Sequence, residues 1–100
     1  MLARTGAIPG GDGWAFEVKF DGMRLQLRRD GRAVCGRSRP GRDCTDEFPE
    51  LAGIERVLGR HRVLLDGELV CLGAEGNPDF ASLRRRLRAP ADKARRHAER

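Results

Sequence analysis

Lysine is scarce in this sequence of 100 residues, although basic residues are common. Of the 20 basic residues, 18 are arginine, and the two lysines are Lys19 and Lys93. Arginine stays protonated and cannot act as a nucleophile, whereas a lysine amine can lose its proton and attack an electrophile. Lys19 is therefore the candidate nucleophile, because a position that needs an amine cannot be filled by arginine.

Paired cysteines and long apolar runs are also missing. The cysteines, at positions 35, 44 and 71, are odd in number and form no CxxC pair, which argues against a disulfide framework or a zinc site. No apolar run approaches the roughly 18 residues that a membrane span needs, and the N-terminus has no apolar signal segment. We therefore expect a cytoplasmic protein with no membrane partner.

The charge is unevenly distributed along the chain. Residues 84–100 hold eight cations and two anions, so they carry a net +6, and residues 1–83 carry −1 of the total of +5. Such a basic segment is either a surface for nucleic-acid phosphates or a solvated helix face. With 39% hydrophobic residues, the chain is expected to bury one modest core.

Alternation of apolar and polar residues predicts an antiparallel sheet. Residues 14–21 predict a first strand whose polar face carries Glu17, Lys19 and Asp21. Asp-Gly pairs mark turns after it. The predicted elements are strands over 14–21, 23–28 and 32–37 in a meander, a helix over 49–58, an apolar strand pair or bulged strand over 61–72 interrupted at Asp66-Gly67, a short helix over 80–87 and at most a marginal helix over 89–100.

The octapeptide 17–24 places a nucleophile among charges. An amine between two carboxylates is normally held protonated, so Lys19 needs a nearby cation, such as Arg24 or a metal ion, to favour its neutral form. Gly22 lets the backbone turn closely beside the site. The plain structural interpretation is an exposed strand face with a salt-bridged lysine.

Several motifs in this order resemble a known family. The segment EVKFDGMR (17–24) resembles the ExKxDGxR motif of ATP-dependent DNA ligases, RNA ligases and mRNA capping enzymes. SRPG (38–41) resembles the SRxG motif that follows it, and LDGELV (65–70) resembles the later DGE motif. The segments FPEL (48–51) and NPDF (77–80) are similar to bacterial ligases of the DNA ligase D type.

The resemblance implies an α+β fold, an antiparallel-sheet-based, ATP-grasp-like nucleotidyltransferase (adenylation) subdomain that is truncated. Residues 1–88 would form the N-terminal part of the adenylation domain, and residues 89–100 a basic polar tail that is a frayed helix or disordered. The family's later motifs and its OB-fold domain do not match residues 89–100. We therefore expect a site that is incomplete in this chain alone, and a second chain is a possible source of the missing motifs.

The resemblance also implies residue roles. Lys19 would form a covalent lysyl-AMP from ATP with Mg²⁺ (or Mn²⁺), and the AMP would pass to a 5′-phosphate in nicked double-stranded DNA during repair or recombination. This implies a bacterial protein associated with the nucleoid. The ATP- and AMP-binding residues would be Glu17, Lys19, Arg24, Arg39 and Glu68, with Glu68 also as a metal ligand and with Asp21, Gly22, Ser38 and Asp66 in support.

Two other functions remain open. An RNA ligase or a capping-type guanylyltransferase shares the lysine motif, although the FPEL and NPDF segments favour the DNA branch. A non-catalytic nucleic-acid-binding protein would instead use the basic segment 84–100 and would not need Lys19.

Overall fold

A three-stranded antiparallel sheet forms the centre of residues 4–99, which are the residues that the computed structural model describes. The order of the strands across the sheet is β2-β1-β3. Strands and helices together confirm the α+β class. The elements are β1 (Met23–Asp30), β2 (Ala33–Ser38), 3₁₀ segments at Thr45–Glu47 and Pro49–Ile54, α1 (Glu55–Leu58), β3 (Val63–Leu69), α2 (Phe80–Arg86) and α3 (Ala91–Ala98).

β1 is the central strand, and its side chains alternate between the two faces of the sheet. Leu25 and Leu27 are buried, while Arg24 and Gln26 are exposed on the opposite face. This alternation is the one that the period-two pattern predicts. β1 therefore supplies both the core and the polar face on which a site can be built.

β3 is one continuous strand, so the predicted interruption at Asp66-Gly67 is wrong. It pairs with β1 in unbroken register from Met23↔Leu69 to Arg29↔Val63. An Asp-Gly pair favours a turn, but here the free edge of β1 offers backbone partners to every residue of β3. Tertiary pairing thus outweighs the local preference for a turn.

The predicted first strand, residues 14–21, is also wrong: these residues have no regular secondary structure. In a meander they would pair with β1, but β3 occupies that edge, so the predicted strand order is wrong as well. The side chains meant for a buried face stay in solvent, with Phe16 71% and Val18 68% exposed. A segment with an alternating pattern forms a strand only when a partner strand is available to pair with it.

The core lies between the sheet and the segments that follow β2. Phe48, Leu83 and Cys44 are almost fully buried beside Leu25. α2 confirms the helix predicted over 80–87, and its N-cap is Asp79, whose Oδ1 accepts a hydrogen bond from the Ser82 amide at 3.0 Å. This cap fixes the helix that carries Leu83 into the core.

The other helices differ from their predictions. The helix predicted over 49–58 begins as a 3₁₀ segment and becomes α-helical only in α1, with the weak helix former Gly53 in between. The basic tail was expected to be a frayed helix or disordered, and residues 91–98 of it form the helix α3, whose Ala94 is fully buried against the 3₁₀ segments. Close packing at one small residue orders a helix that its polar composition does not favour. Within residues 4–99, no helix is long and apolar enough to cross a membrane.

A buried arginine ties α2 to the second 3₁₀ segment. Arg86 Nη2 donates to Glu50 Oε2 at 2.8 Å, and its guanidinium carbon lies 4.7 Å from the centre of the Phe48 ring. Burial is the largest single influence and opposes ionisation of Glu50. The hydrogen bonds from Arg86, a backbone hydrogen bond and the charge of Arg86 together outweigh it and hold the pKa of Glu50 below its ordinary value of 4.5. This ion pair is therefore formed only when Glu50 is ionised.

We expect acid to weaken this connection. A lowered carboxyl pKa gives stability that is present above the unfolded value and is lost as the pH falls through the folded value. Glu50→Gln should lower the free energy of unfolding by about 0.5–1 kcal/mol at neutral pH, a figure reduced for solvent screening. The difference from wild type should shrink as the pH falls below 4.5 and through the lowered pKa of Glu50. Urea unfolding across this range measures it.

Glu75→Gln is the matched control, since Glu75 is exposed and lies outside the ion pairs of residues 4–99. Its effect should be small at all pH values. An equal gap between wild type and Glu50→Gln at neutral and acid pH would contradict the linkage.

Candidate functional site

Arg24 and Asp66 form a two-pronged ion pair across β1 and β3. Arg24 Nε donates to Asp66 Oδ1 at 3.0 Å, and Nη2 donates to Oδ2 at 2.7 Å. The hydrogen bond from Arg24 lowers the pKa of Asp66, and the same bond raises the pKa of Arg24. Asp66 is therefore a strand residue that holds the Arg24 guanidinium in place, and not the turn carboxylate that its Asp-Gly sequence indicates.

A tight turn after β2 carries the second motif. The Gly41 amide donates to the Ser38 carbonyl at 2.8 Å, and the Ser38 amide donates to the Arg42 carbonyl at 2.9 Å. Gly41 has a φ of 87°, which an L-residue with a side chain rarely adopts. The turn fixes Ser38 at its base and leaves Arg39 exposed.

The exposed face of β1 and this turn enclose a cavity of about 230 Å³. Three of its lining residues are arginines, and none is acidic. Such a lining suits a phosphate, which arginine binds with paired donors. The cavity brings together Arg24, Ser38 and Arg39, three predicted site residues, and adds Gln26, Arg37 and Gly41.

Sequence reasoning missed Gln26 and Arg37 as site residues. Gln26 lies two positions beyond Arg24, so period two alone would place it on the same face. It is directly opposite Arg37 in the β1–β2 register. The hairpin pairing predicted for these strands would have found Arg37 once Gln26 was considered.

Gly22 has a steric role at the start of β1. A Cβ atom there would lie 2.2 Å from the Leu69 carbonyl oxygen and 2.7 Å from Val70 Cγ1. Only glycine therefore lets the end of β3 approach this closely. The contact brings the DGE motif next to the lysine motif, which gives the predicted supporting role of Gly22 a physical basis.

The remaining predicted residues lie outside the cavity. Glu17, Lys19 and Asp21 are exposed on irregular backbone before β1, and Lys19 forms no ion pair with either carboxylate within residues 4–99. The salt-bridged strand face is therefore not observed. Glu68 is exposed opposite Arg24 in the β1–β3 register, and its charge contributes to raising the pKa of Arg24.

No group of three or more His, Cys, Asp or Glu side chains is placed to hold a metal ion in the described part of the chain. Glu68 as a metal ligand stays a prediction.

Comparison with known proteins identifies the family to which this fold and these motifs belong. Residues 5–100 match the family described as ATP dependent DNA ligase domain. The chain belongs to this family.

Its relatives are longer proteins. A multifunctional non-homologous end joining protein, LigD, of Mycobacterium bovis is 46% identical over 90 residues, which cover 88% of this chain and 12% of that protein. A probable DNA ligase of Streptomyces griseus is 41% identical over 83 residues, covering 78% of this chain and 16% of the other. This chain therefore corresponds to a small part of each relative.

Solved structures resemble the fold as well. The ligase domain of Mycobacterium tuberculosis LigD superimposes with a TM-score of 0.61 and 43% identity, over 69% of this chain and 23% of the other. A mycobacterial DNA ligase D complexed with ATP and MES gives a TM-score of 0.62 and 44% identity, over 72% and 24%. About 70% of this chain thus matches part of a ligase domain.

We expect Gly22→Ala to destabilise the chain by about 1–3 kcal/mol, because the backbone of β3 cannot move away without breaking its pairing. Gly67→Ala is the matched control, since Gly67 lies on the facing strand with open space where its Cβ would be. It should be neutral or slightly stabilising. Chemical denaturation compares them, and equal stability of the two variants would contradict the close approach.

Proposed function

We propose that this chain supplies the nucleophile and part of the nucleotide site of an ATP-dependent DNA ligase, within an ATP-grasp-like adenylation subdomain. The observation that carries the proposal is that Arg24, Ser38 and Arg39, from two separate motifs, line one basic cavity. The ATP complex of a mycobacterial DNA ligase D supports ATP as the nucleotide. We assign residues 1–88 to this subdomain and residues 89–100 to a basic extension of it.

The proposed first step is attack of the Lys19 amine on the α-phosphorus of ATP. A phosphorus–nitrogen bond forms, the bond to pyrophosphate breaks, and the amine proton passes to solvent. Such a transfer depends on alignment and on neutralising the charge that spreads over the phosphate oxygens. Arg24 and Arg39 supply positive charge, and Asp66 acts as a positioning residue by fixing the Arg24 guanidinium.

Glu17 and Glu68 complete the proposed nucleotide contacts. Glu17 would help to seat the adenine, and Glu68, beside Arg24, would face the ribose. Mg²⁺ (or Mn²⁺) would arrive with the nucleotide phosphates, with Glu68 as its protein ligand, and would neutralise their charge. Asp21 would support the turn into β1.

The proposed partner is nicked double-stranded DNA. The AMP would move from Lys19 to a 5′-phosphate, and a 3′-hydroxyl would then displace it to seal the nick in repair or recombination. The chain spans about 12% of the length of the mycobacterial relatives. We propose that a further segment or a second chain supplies the rest of the site. The protein would act in the bacterial cytoplasm at the nucleoid.

Labelled ATP tests the nucleophile directly. With Mg²⁺ or Mn²⁺ present, we expect AMP to attach to Lys19, as located by peptide mass spectrometry. Lys19→Arg should abolish the label because arginine keeps its proton. Asp66→Asn should reduce the labelling rate roughly tenfold, since a poorly oriented arginine stabilises the transition state less.

Lys93→Arg is the matched control, because it changes the other lysine of the chain and should label at the wild-type rate. Labelling rates are compared between variants of this chain and not with those of a full-length ligase, since this chain covers only part of its relatives. Label that persists in Lys19→Arg, or none in wild type, would count against the proposal. A preference for GTP over ATP would favour a capping-type guanylyltransferase.

A second candidate function is nucleic-acid binding by the basic surface of α2 and α3. Several of its cations are exposed, namely Arg84, Arg85, Arg88, Lys93 and Arg95. Together these cations give the surface a positive charge that attracts phosphates. This surface is independent of Lys19.

For that function we expect binding of duplex DNA to fall steeply with salt, roughly one unit of logarithmic slope for each phosphate contact. Arg84→Gln with Arg85→Gln should reduce the slope by about two, because two contacts are lost. Fluorescence anisotropy across a salt series measures the slope. Lys19→Ala should leave it unchanged, and loss of binding in Lys19→Ala would instead place the DNA at the nucleotide site.

A further inference from the structure

Arg29 is a buried charge with no counter-ion among residues 4–99. It lies on the core face of β1 and is only 5% exposed. Within residues 4–99 its Nε and Nη1 have no hydrogen-bond partner, and it takes part in no ion pair. A guanidinium keeps its charge even when buried, so an uncompensated one is costly.

Arg86 shows how the same fold treats a buried arginine that is part of its core. It is 9% exposed, it donates to both carboxylate oxygens of Glu50, and it stacks on Phe48. Although its Nε is also unpaired, its charge is compensated. Arg29 has no such carboxylate, so its burial is not explained by the fold alone.

A basic cavity adjoins Arg29. It has a volume of about 730 Å³ and lies between the β1–β2 turn and the end of α1. Its charged lining consists of Arg29, Arg32, Arg56 and Arg60 against one carboxylate, Glu55, which gives a net charge of +3. Glu55 forms no ion pair within the described residues. Even with Glu55 ionised, this cavity is therefore short of negative charge.

This cavity is separate from the proposed nucleotide site. Arg24 and Gln26 reach the nucleotide cavity from the exposed face of β1, whereas Arg29 is on the opposite face. Arg24 and Arg29 are five positions apart on one strand, about 17 Å at the usual rise per residue. The phosphates of one nucleotide at the first cavity do not account for the charge at the second.

We propose that the Arg29 cavity binds a phosphate-type oxyanion, which provides the counter-charge that Arg29 lacks. The exposed residues Arg32, Arg56 and Arg60 offer the paired N–H donors that phosphate oxygens accept, and Arg29 adds its charge beside them. The anion is either a free inorganic phosphate or a phosphate of a DNA backbone, since both present the same oxygens. This site goes beyond the proposed ligase chemistry and needs neither ATP nor Lys19.

Thermal unfolding of the whole chain tests the site. Inorganic phosphate is compared with sodium chloride at equal ionic strength, because phosphate also stabilises proteins by exclusion from their surface. A bound anion at about ten times its Kd should raise the folding equilibrium constant about elevenfold. Arg29→Met keeps the apolar stem but removes the charge, so its specific response to phosphate should disappear. Without phosphate it should melt no lower than wild type.

If Arg29→Met does not fold, Arg60→Met still tests the site, because Arg60 is exposed and also lines the cavity. It should weaken the response to phosphate several-fold. Arg4→Met, which changes an exposed arginine outside the cavity, should respond as wild type does. An equal response to phosphate in wild type, Arg29→Met and Arg60→Met would overturn the site.

Two further arms identify the source of the anion. If a short DNA duplex raises the melting temperature of wild type, competes with phosphate, and loses its effect in Arg60→Met, the ligand is a backbone phosphate. If phosphate binds and the duplex does not compete, the ligand is the free anion. Acetate that stabilises as strongly as phosphate would overturn the proposal in favour of a carboxylate from another protein segment.

Discussion

The close approach of β3 to Gly22 is the constraint on which the rest of the structure depends. The space beside Gly22 is filled by the Leu69 carbonyl, so β3 can pair along the whole of β1. That pairing puts Asp66 within reach of Arg24, and the ion pair holds the Arg24 guanidinium on the β3 side of β1. Gly22 thus determines where Asp66 of β3 lies relative to Arg24.

The sequence was sufficient to predict those elements whose local pattern agrees with their tertiary pairing. β1, β2 and α2 follow their periodicity, since each finds the partner that the pattern requires. It was insufficient where two segments compete for one edge of β1. Residues 14–21 and β3 both have strand-like sequences, and only the three-dimensional pairing decides that β3 occupies the edge. The sequence of either segment alone does not determine which of them pairs with β1.

The residues of the candidate site also divide into those predicted from local sequence and those that depend on tertiary pairing. Arg24, Ser38 and Arg39 were predicted from motifs and converge on one cavity, while Gln26 and Arg37 follow only from cross-strand register. Lys19 precedes β1 on irregular backbone and lies outside that cavity. The sheet therefore fixes the basic cavity through its hydrogen bonds, whereas Lys19, the proposed nucleophile, is placed by a segment without regular secondary structure.

Arginine has three distinct physical roles in this small fold. Arg24 is held on the surface by a carboxylate, Arg86 is built into the core with Glu50 and Phe48, and Arg29 is buried without compensation. Because the same residue type occupies all three environments, net charge alone says little about where an anion binds. Burial and partners separate the structural cations from those available to a ligand.

The exposed segment before β1 has one further consequence. Trp14, the single tryptophan of the chain, is 60% exposed and lies five residues before Lys19. Its indole is thus an intrinsic optical probe of the region around Lys19, with an emission maximum typical of a solvated ring. Any molecule or chain that covers this segment would shift that emission to shorter wavelength, so that assembly around Lys19 can be followed without a label.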